Sequence, residues 1–218
     1  MKAAAVGFRA HSGWTALVAL AVNKGSPTVL ARERVHLVET FTYEFRQPYH
    51  TAEKLPAGEA SAFIGRMQAE ARLLAFRAIS GLQTSLHAQG YELTRCGLLL
   101  ASGRTLPALP QILAAHSLIH SADGELFREA LLDASGRCHL KTMATKEKEL
   151  LDSASQALHL KPSDLMRRIT DLGRSLGPPW SQDEKFASLA AWLAVVSRPQ
   201  RARSPAKPSI AHRPRSGD

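Results

Sequence analysis

The densest group of side chains able to bind a metal or transfer protons lies just past the middle of the chain. His116 and His120 are four residues apart, so both point to one face if a helix spans them. Asp123 and Glu125 follow, and either can approach from the start of a next helix. Two imidazoles and a carboxylate can bind zinc or carry out acid–base chemistry. The segment does not match the zinc-protease motif, because Ser117 stands where a glutamate would follow the first histidine.

A polar turn between two helices accounts for the same residues without any chemistry. In that interpretation Asp123 caps the second helix and Glu125 lies at its electropositive start. His50 is a further candidate, on its position in a loop alone. The catalytic residues stay open, with His116, His120, Glu125 and His50 as the candidates. We predict no cofactor and no metal. The sequence has no phosphate-binding G-x-x-x-x-G-K-[ST] loop, no C-x-x-C pair and no G-x-S-x-G motif.

Hydrophobic periodicity predicts the elements that must position these side chains. Three strands joined by tight turns come first, followed by a long helix, a fourth strand, further helices and a fifth strand. The predicted strands are 3–8, 14–22, 28–38, 91–100 and 138–143, and aromatic residues at 41, 43 and 45 can extend the third. The predicted helices are 57–88 with a kink at Ser80-Gly81, 110–119, one starting at Asp123, 144–158, 162–175 and 183–195.

This order resembles that of the ribonuclease H-like superfamily, which includes Holliday-junction resolvases and, as duplicated halves, the actin-like ATPases. The resemblance covers roughly residues 3–160 and rests on the element order and the opening hairpin from Val6 to Trp14. It implies an α/β fold with a mixed sheet, in which an antiparallel three-strand meander leads into parallel strands flanked by helices. We therefore predict a ribonuclease H-like domain over 1–160, additional C-terminal helices packed on it over 161–196, and a tail over 197–218.

The same resemblance brings in a catalytic pattern that this sequence lacks. Nucleases of the superfamily carry acids on the first strand, at the end of the fourth and on a later helix, where they hold two metal ions. Residues 1–32 contain no Asp or Glu, and the first-strand position falls at Phe8 or Arg9. The fourth strand runs into residues 98–104, again without an acid. A guanidinium at such a position repels Mg²⁺, and the actin-like phosphate loop also begins with an Asp. We predict the fold without its usual nuclease or ATPase site.

An anion site is predicted where the parallel strands end, since ligands of open α/β sheets favour that edge. Arg9, His11 and Ser12 come from the first turn, and Ser102 and Arg104 from the turn after the fourth strand. Arginines and hydroxyls together can bind phosphate or carboxylate. The alternative is that these residues occupy exposed turns and contact water alone.

Composition sets the broad class. A chain of 218 residues with 44% hydrophobic residues suits one domain, and no apolar run reaches the ~20 residues of a membrane span. Cys96 and Cys138 are predicted to be buried thiols, which fits a reducing cytoplasm. Lys2 and Arg9 precede an apolar stretch as in a signal peptide, but we expect a mature β-hairpin there.

More than half of the net charge of +9 lies in the tail. Residues 197–218 carry six Lys or Arg and one Asp, a net +5, and four prolines that predict disorder. The tail can bind nucleic acid or acidic surfaces, or serve only to keep the chain soluble. The best expectation for the whole chain is a non-catalytic ribonuclease H-like domain that binds an anionic ligand, nucleic acid or a protein partner, and no membrane. The alternative is a hydrolase-type enzyme that uses the His/Glu cluster, with or without zinc.

Overall fold

A computed structural model of the chain describes residues 1–101 and 105–197. Five strands and eight α-helices follow one another in these ranges. The strands are β1 (Lys2–His11), β2 (Trp14–Asn23), β3 (Ser26–His36), β4 (Tyr91–Leu100) and β5 (Lys141–Lys146). The helices are α1 (Tyr43–Arg46), α2 (Pro48–Ala52), α3 (Ala57–Ala88), α4 (Leu109–Leu113), α5 (His116–Arg137), α6 (Leu150–Leu158), α7 (Pro162–Leu172) and α8 (Gln182–Val196).

The five strands form one mixed sheet in the order β3-β2-β1-β4-β5. The first three strands pair antiparallel, and β4 and β5 then add parallel to β1. Residues 4–8 of central β1 are apolar and buried because both faces of the strand are covered there, with Val6 and Phe8 fully buried. The predicted fold class, an antiparallel meander followed by helix-linked parallel strands, is therefore confirmed.

One face of the sheet is covered by the two longest helices. The apolar stripe of α3, which includes Phe63, Met67 and Ile79, packs with Phe127 of α5 over Phe8 of β1. This stripe recurs every three or four residues, as the sequence pattern predicted.

The opposite face is covered by α8, which approaches the two central strands at glycine positions. A Cβ on Gly7 of β1 would lie 1.9 Å from the Ala187 carbonyl oxygen, and one on Gly97 of β4 would lie 2.2 Å from that of Ala190. Backbone-to-backbone contact of this kind is open only to glycine. It fixes the position of α8, and with it the residues of its first turn.

The predicted helix boundaries near Asp123 were wrong. In place of the helix predicted near 110–119, the short α4 ends at Leu113. Helix α5 then runs without interruption from His116 to Arg137. Asp123 is therefore an interior residue of α5, 3% exposed, and not a helix cap. Its carboxylate instead accepts the Tyr49 N–H from α2, which offsets the cost of burying it.

Two further boundaries differ from the sequence expectation. The aromatic residues after β3 do not extend that strand. In the antiparallel pairing of β2 and β3, the end of β3 at His36 already lies opposite Trp14, the first residue of β2, so later residues have no partner in β2. The last strand begins at Lys141 rather than at 138, because residues 138–140 close the end of α5 through hydrogen bonds to Ala134 and Ser135. Helix α3 continues through Ser80 and Gly81 without a break.

Both cysteines are buried free thiols, as predicted. Among the described residues, no helix is both long and apolar enough to cross a bilayer.

Candidate functional site

Three elements bring charged side chains together at the carboxyl edge of the parallel strands. Arg9 lies near the end of β1, Glu147 directly follows β5, and Asp183 belongs to the first turn of α8. The first turn of α8 is fixed by a capping box between Ser181 and Glu184, which orients the residues around it. This group is called the Arg9 cluster below.

The Arg9 guanidinium is held between two carboxylates. Its Nε and Nη2 donate to the two oxygens of Glu147 at 3.0 and 2.7 Å, a bidentate pair, and its Nη1 donates to Asp183. The Arg9 side chain is 17% exposed, so the pair is only partly screened by water. The hydrogen bond to Glu147 is the largest cause that raises the pKa of Arg9 above its usual value, and the residue is a permanent cation.

His11 extends the cluster towards the first hairpin. Its Nε2 lies 2.8 Å from the Asp183 oxygen that also binds Arg9. Its ring stacks on Trp14, with centroids 4.3 Å apart. Phe186 of α8 lies under the Arg9 guanidinium at 5.2 Å, a cation–π contact that adds to its fixed position.

A cavity of about 290 Å³ opens beside the cluster. Arg9 and Glu147 line it together with Arg128 of α5 and the end of β4. Arg128 is paired with Glu125 at 2.9 Å, so Glu125 is directed to this ion pair and not to the histidines. Of the other residues predicted for the anion site, Ser12 lies in the turn after β1, whereas Ser102 and Arg104 lie outside the described residues.

Alternating cationic and aromatic side chains follow the Arg9 cluster along the ends of β2 and β3. The Arg34 guanidinium lies over the Trp14 ring at 3.9 Å and near Phe41 at 5.6 Å. Phe41 in turn stacks on His36 and contacts Arg46. We call this set the basic aromatic strip: His11, Trp14, Arg34, His36, Phe41 and Arg46. Arg34 and His36 are exposed to solvent.

Three histidines, one from α2 and two from the start of α5, lie close together. His116 and His120 have their Nε2 atoms 3.0 Å apart, and the His50 ring from α2 lies 5.4 and 4.4 Å from theirs, centroid to centroid. One ring nitrogen from each lies within 4.8 Å of those of the other two. The i, i+4 spacing thus placed His116 and His120 on one face as predicted. His50, which was predicted in a loop, is instead a buried residue of α2 and joins them.

Asp123 lies behind His50. Its Oδ2 is hydrogen-bonded to His50 Nδ1, and its Oδ1 accepts the Tyr49 backbone N–H at 2.7 Å. Burial raises the pKa of the Asp123 carboxyl above its ordinary value, and the His50 hydrogen bond acts in the opposite direction. Both carboxylate oxygens are thus used within the protein.

Solved structures of similar architecture identify the fold. A structure of T. thermophilus RuvC in complex with Holliday junction substrate is similar to this chain at a TM-score of 0.50 and 12% identity, covering 87% of this chain and 91% of that one. The chain has the ribonuclease H-like fold. A second Thermus thermophilus RuvC structure is similar at a TM-score of 0.48 and 13% identity, with 87% and 92% covered. No family model matches the sequence, and no curated protein does.

The two hard metal ions of ribonuclease H-like nucleases do not fit the Arg9 cluster. The resemblance places a nuclease acid at position 8 or 9 of the first strand, and here the Arg9 guanidinium pairs with the Glu147 and Asp183 carboxylates. A divalent ion at this edge would have to displace or approach a fixed positive charge. The sequence has no acid on the first strand, and in the structure the Arg9 cation lies near the end of that strand.

Sequence reasoning missed Glu147 and Asp183. They lie 138 and 174 residues from Arg9, and no local pattern links such distant positions. A signal did exist for Asp183, since it follows the cap residue Ser181 at the start of the last helix. The nuclease pattern also includes an acid on a later helix, the kind of element to which Asp183 belongs.

Proposed function

We propose that this protein is a catalytically inactive ribonuclease H-like domain that binds nucleic acid. The observation that carries the proposal is the Arg9 guanidinium held by Glu147 and Asp183 at the catalytic edge of the fold. A cation fixed by a bidentate pair satisfies the carboxylates that would otherwise attract metal. With these carboxylates paired to Arg9, the edge does not offer the oxygen ligands by which two metal ions would activate water.

The basic aromatic strip supports nucleic acid as the partner. Exposed Arg34 can pair with a phosphate, and its contacts with Trp14 and Phe41 hold the guanidinium in place at the surface. The strip adjoins the Arg9 cluster through the His11–Trp14 stack, so a strand bound there would cross the former catalytic edge. RuvC of the same fold was captured with a Holliday junction, which makes branched DNA the first ligand to test.

The hydrolase alternative has weaker support. It requires Glu125 to act with His116 and His120, and Glu125 is paired with Arg128 instead. The three histidines form a separate feature on α2 and the start of α5.

The proposal is tested by assaying binding and cleavage on the same labelled substrates. We expect the full chain to bind a four-way DNA junction or a single strand in fluorescence anisotropy, and to leave both uncut in Mg²⁺ or Mn²⁺. Arg34→Glu should weaken binding about tenfold, or ~1.4 kcal/mol. Arg77→Glu, an equal charge change on the exposed side of α3, is the matched control and should have a much smaller effect.

Divalent-dependent cleavage that disappears in Glu147→Gln would contradict the inactive assignment. Equal reductions of binding in the Arg34 and Arg77 variants would contradict the strip as the binding surface. Thermal unfolding of each variant separates either result from a loss of fold.

A further inference from the structure

We propose that His50, His116 and His120 form a binding site for a single zinc ion, with Asp123 as the residue that orients His50. The site is independent of the proposed nucleic-acid function and lies on different elements, α2 and the start of α5.

The distances are close to what zinc requires. A tetrahedral zinc ion with Zn–N bonds of ~2.0–2.1 Å places its nitrogen ligands about 3.3 Å apart. The Nε2 atoms of His116 and His120 are 3.0 Å apart, and all three histidines offer nitrogens within 4.8 Å of one another. Separations of up to 4.8 Å exceed the zinc value, so binding requires rotamer changes at the exposed His116 and His120.

Asp123 makes the proposal more specific than three neighbouring histidines would. The Asp123 carboxylate binds Nδ1 of His50, which places the proton on that nitrogen and leaves the Nε2 lone pair free for a metal. A carboxylate behind a ligating histidine is the arrangement that fixes ring orientation and raises ligand basicity at zinc sites. Asp123 is 3% exposed and is itself held by the Tyr49 N–H, so the arrangement is rigid.

The donor set determines the class of metal. Three imidazoles suit Zn²⁺ and its transition-metal neighbours, and they disfavour Mg²⁺ and Ca²⁺, which prefer oxygen ligands. Among the described residues the cluster contains three ligands, and His116 and His120 are exposed. The fourth position of a tetrahedral ion would therefore hold water, as in open zinc sites.

Metal analysis of the untagged full-length protein tests this proposal, since a histidine tag would bind zinc itself. Protein dialysed against Zn²⁺ should retain about one equivalent, and Co²⁺ in its place should give the strong visible absorption of a tetrahedral site. His120→Ala and His116→Ala should reduce bound zinc to less than about a tenth of an equivalent. Both side chains are exposed, so the variants should keep the fold. His87→Ala, an exposed histidine near the end of α3, is the control and should bind like the unmodified protein.

Asp123→Asn tests the orienting role. We expect zinc affinity to fall about 10- to 100-fold while the stoichiometry at saturating Zn²⁺ stays near one. The thermal midpoint without metal reports any separate loss of stability. Unmodified protein that binds no zinc at micromolar concentration would overturn the proposal. Binding that survives both His116→Ala and His120→Ala would overturn it as well.

Discussion

At the residue scale, the Arg9 guanidinium supplies a positive charge between two carboxylates at the carboxyl edge of the sheet. It satisfies three carboxylate oxygens from two distant elements, and so the edge needs no ion for the chain to fold there. The cost of burying such a charge is offset by its hydrogen bonds, whereas removal of one partner leaves the others uncompensated. We therefore expect the identity of residue 9 to decide which cation this edge holds.

Arg9→Asp should convert the cluster into a divalent-metal site. The variant places three carboxylates at the edge, which repel one another in the absence of an ion and attract Mn²⁺ when it is present. We expect the variant to be less stable than the unmodified protein, and Mn²⁺ to raise its thermal midpoint. At 100 times the dissociation constant the gain would be about 2.7 kcal/mol.

Arg9→Asn serves as the control for this conversion, because it removes the cation without adding a carboxylate. Mn²⁺ should change its midpoint far less. If Mn²⁺ stabilises unmodified protein as much as Arg9→Asp, the guanidinium does not exclude metal and the inactive assignment fails.

At the element scale, the position of α8 depends on two glycines in the central strands. Gly7 and Gly97 let the helix backbone touch the sheet, and this contact sets where Asp183 reaches the end of β1. The sequence predicted α8 almost to its ends and predicted β4 correctly, because both are apolar segments with clear flanking signals. It did not predict the close approach, since a glycine in a strand looks the same whether it meets a helix or open space.

Gly7→Ala should lower the free energy of unfolding by about 1–3 kcal/mol, as overpacking does. The new methyl would meet the Ala187 carbonyl oxygen and force α8 outwards. Urea denaturation measures the change. Gly81→Ala in α3 is the matched control: nothing lies within 4 Å of its added methyl, so it should be neutral or stabilise by up to ~1 kcal/mol. Equal effects at the two positions would contradict the close approach.

At the scale of the whole molecule, element order was enough to predict the fold, but not the sites. The order of strands and helices restricts the topology strongly, because parallel strands need helical crossovers and hairpins pair next to one another. The sites depend instead on contacts such as Arg9 with Asp183 and His50 with Asp123. Each joins residues more than 70 positions apart. Only His116 and His120, which share one helix, could be paired from their spacing.

The basic C-terminal segment should act on nucleic-acid binding as a whole and not at one site. Removal of residues 198–218 deletes six cationic side chains. The slope of the logarithm of the binding constant against the logarithm of the salt concentration becomes shallower by about 0.9 for each phosphate contact that is lost. We expect the truncated protein to bind more weakly and with a shallower salt dependence, measured by anisotropy at several salt concentrations. The preference between junction and duplex should not change. An unaltered slope would show that the segment does not bind the phosphates.

The position of α8 at the end of the described chain has a consequence during synthesis. All five strands have been made once residue 146 is added, but the helix that covers one face of the sheet is completed only at Val196. Until then Leu20 and Leu99, which pack in one cluster with α8 in the finished protein, lack the cover that this helix supplies. Chains that stop before this helix would present an apolar sheet face to other molecules, which makes early termination products prone to aggregate.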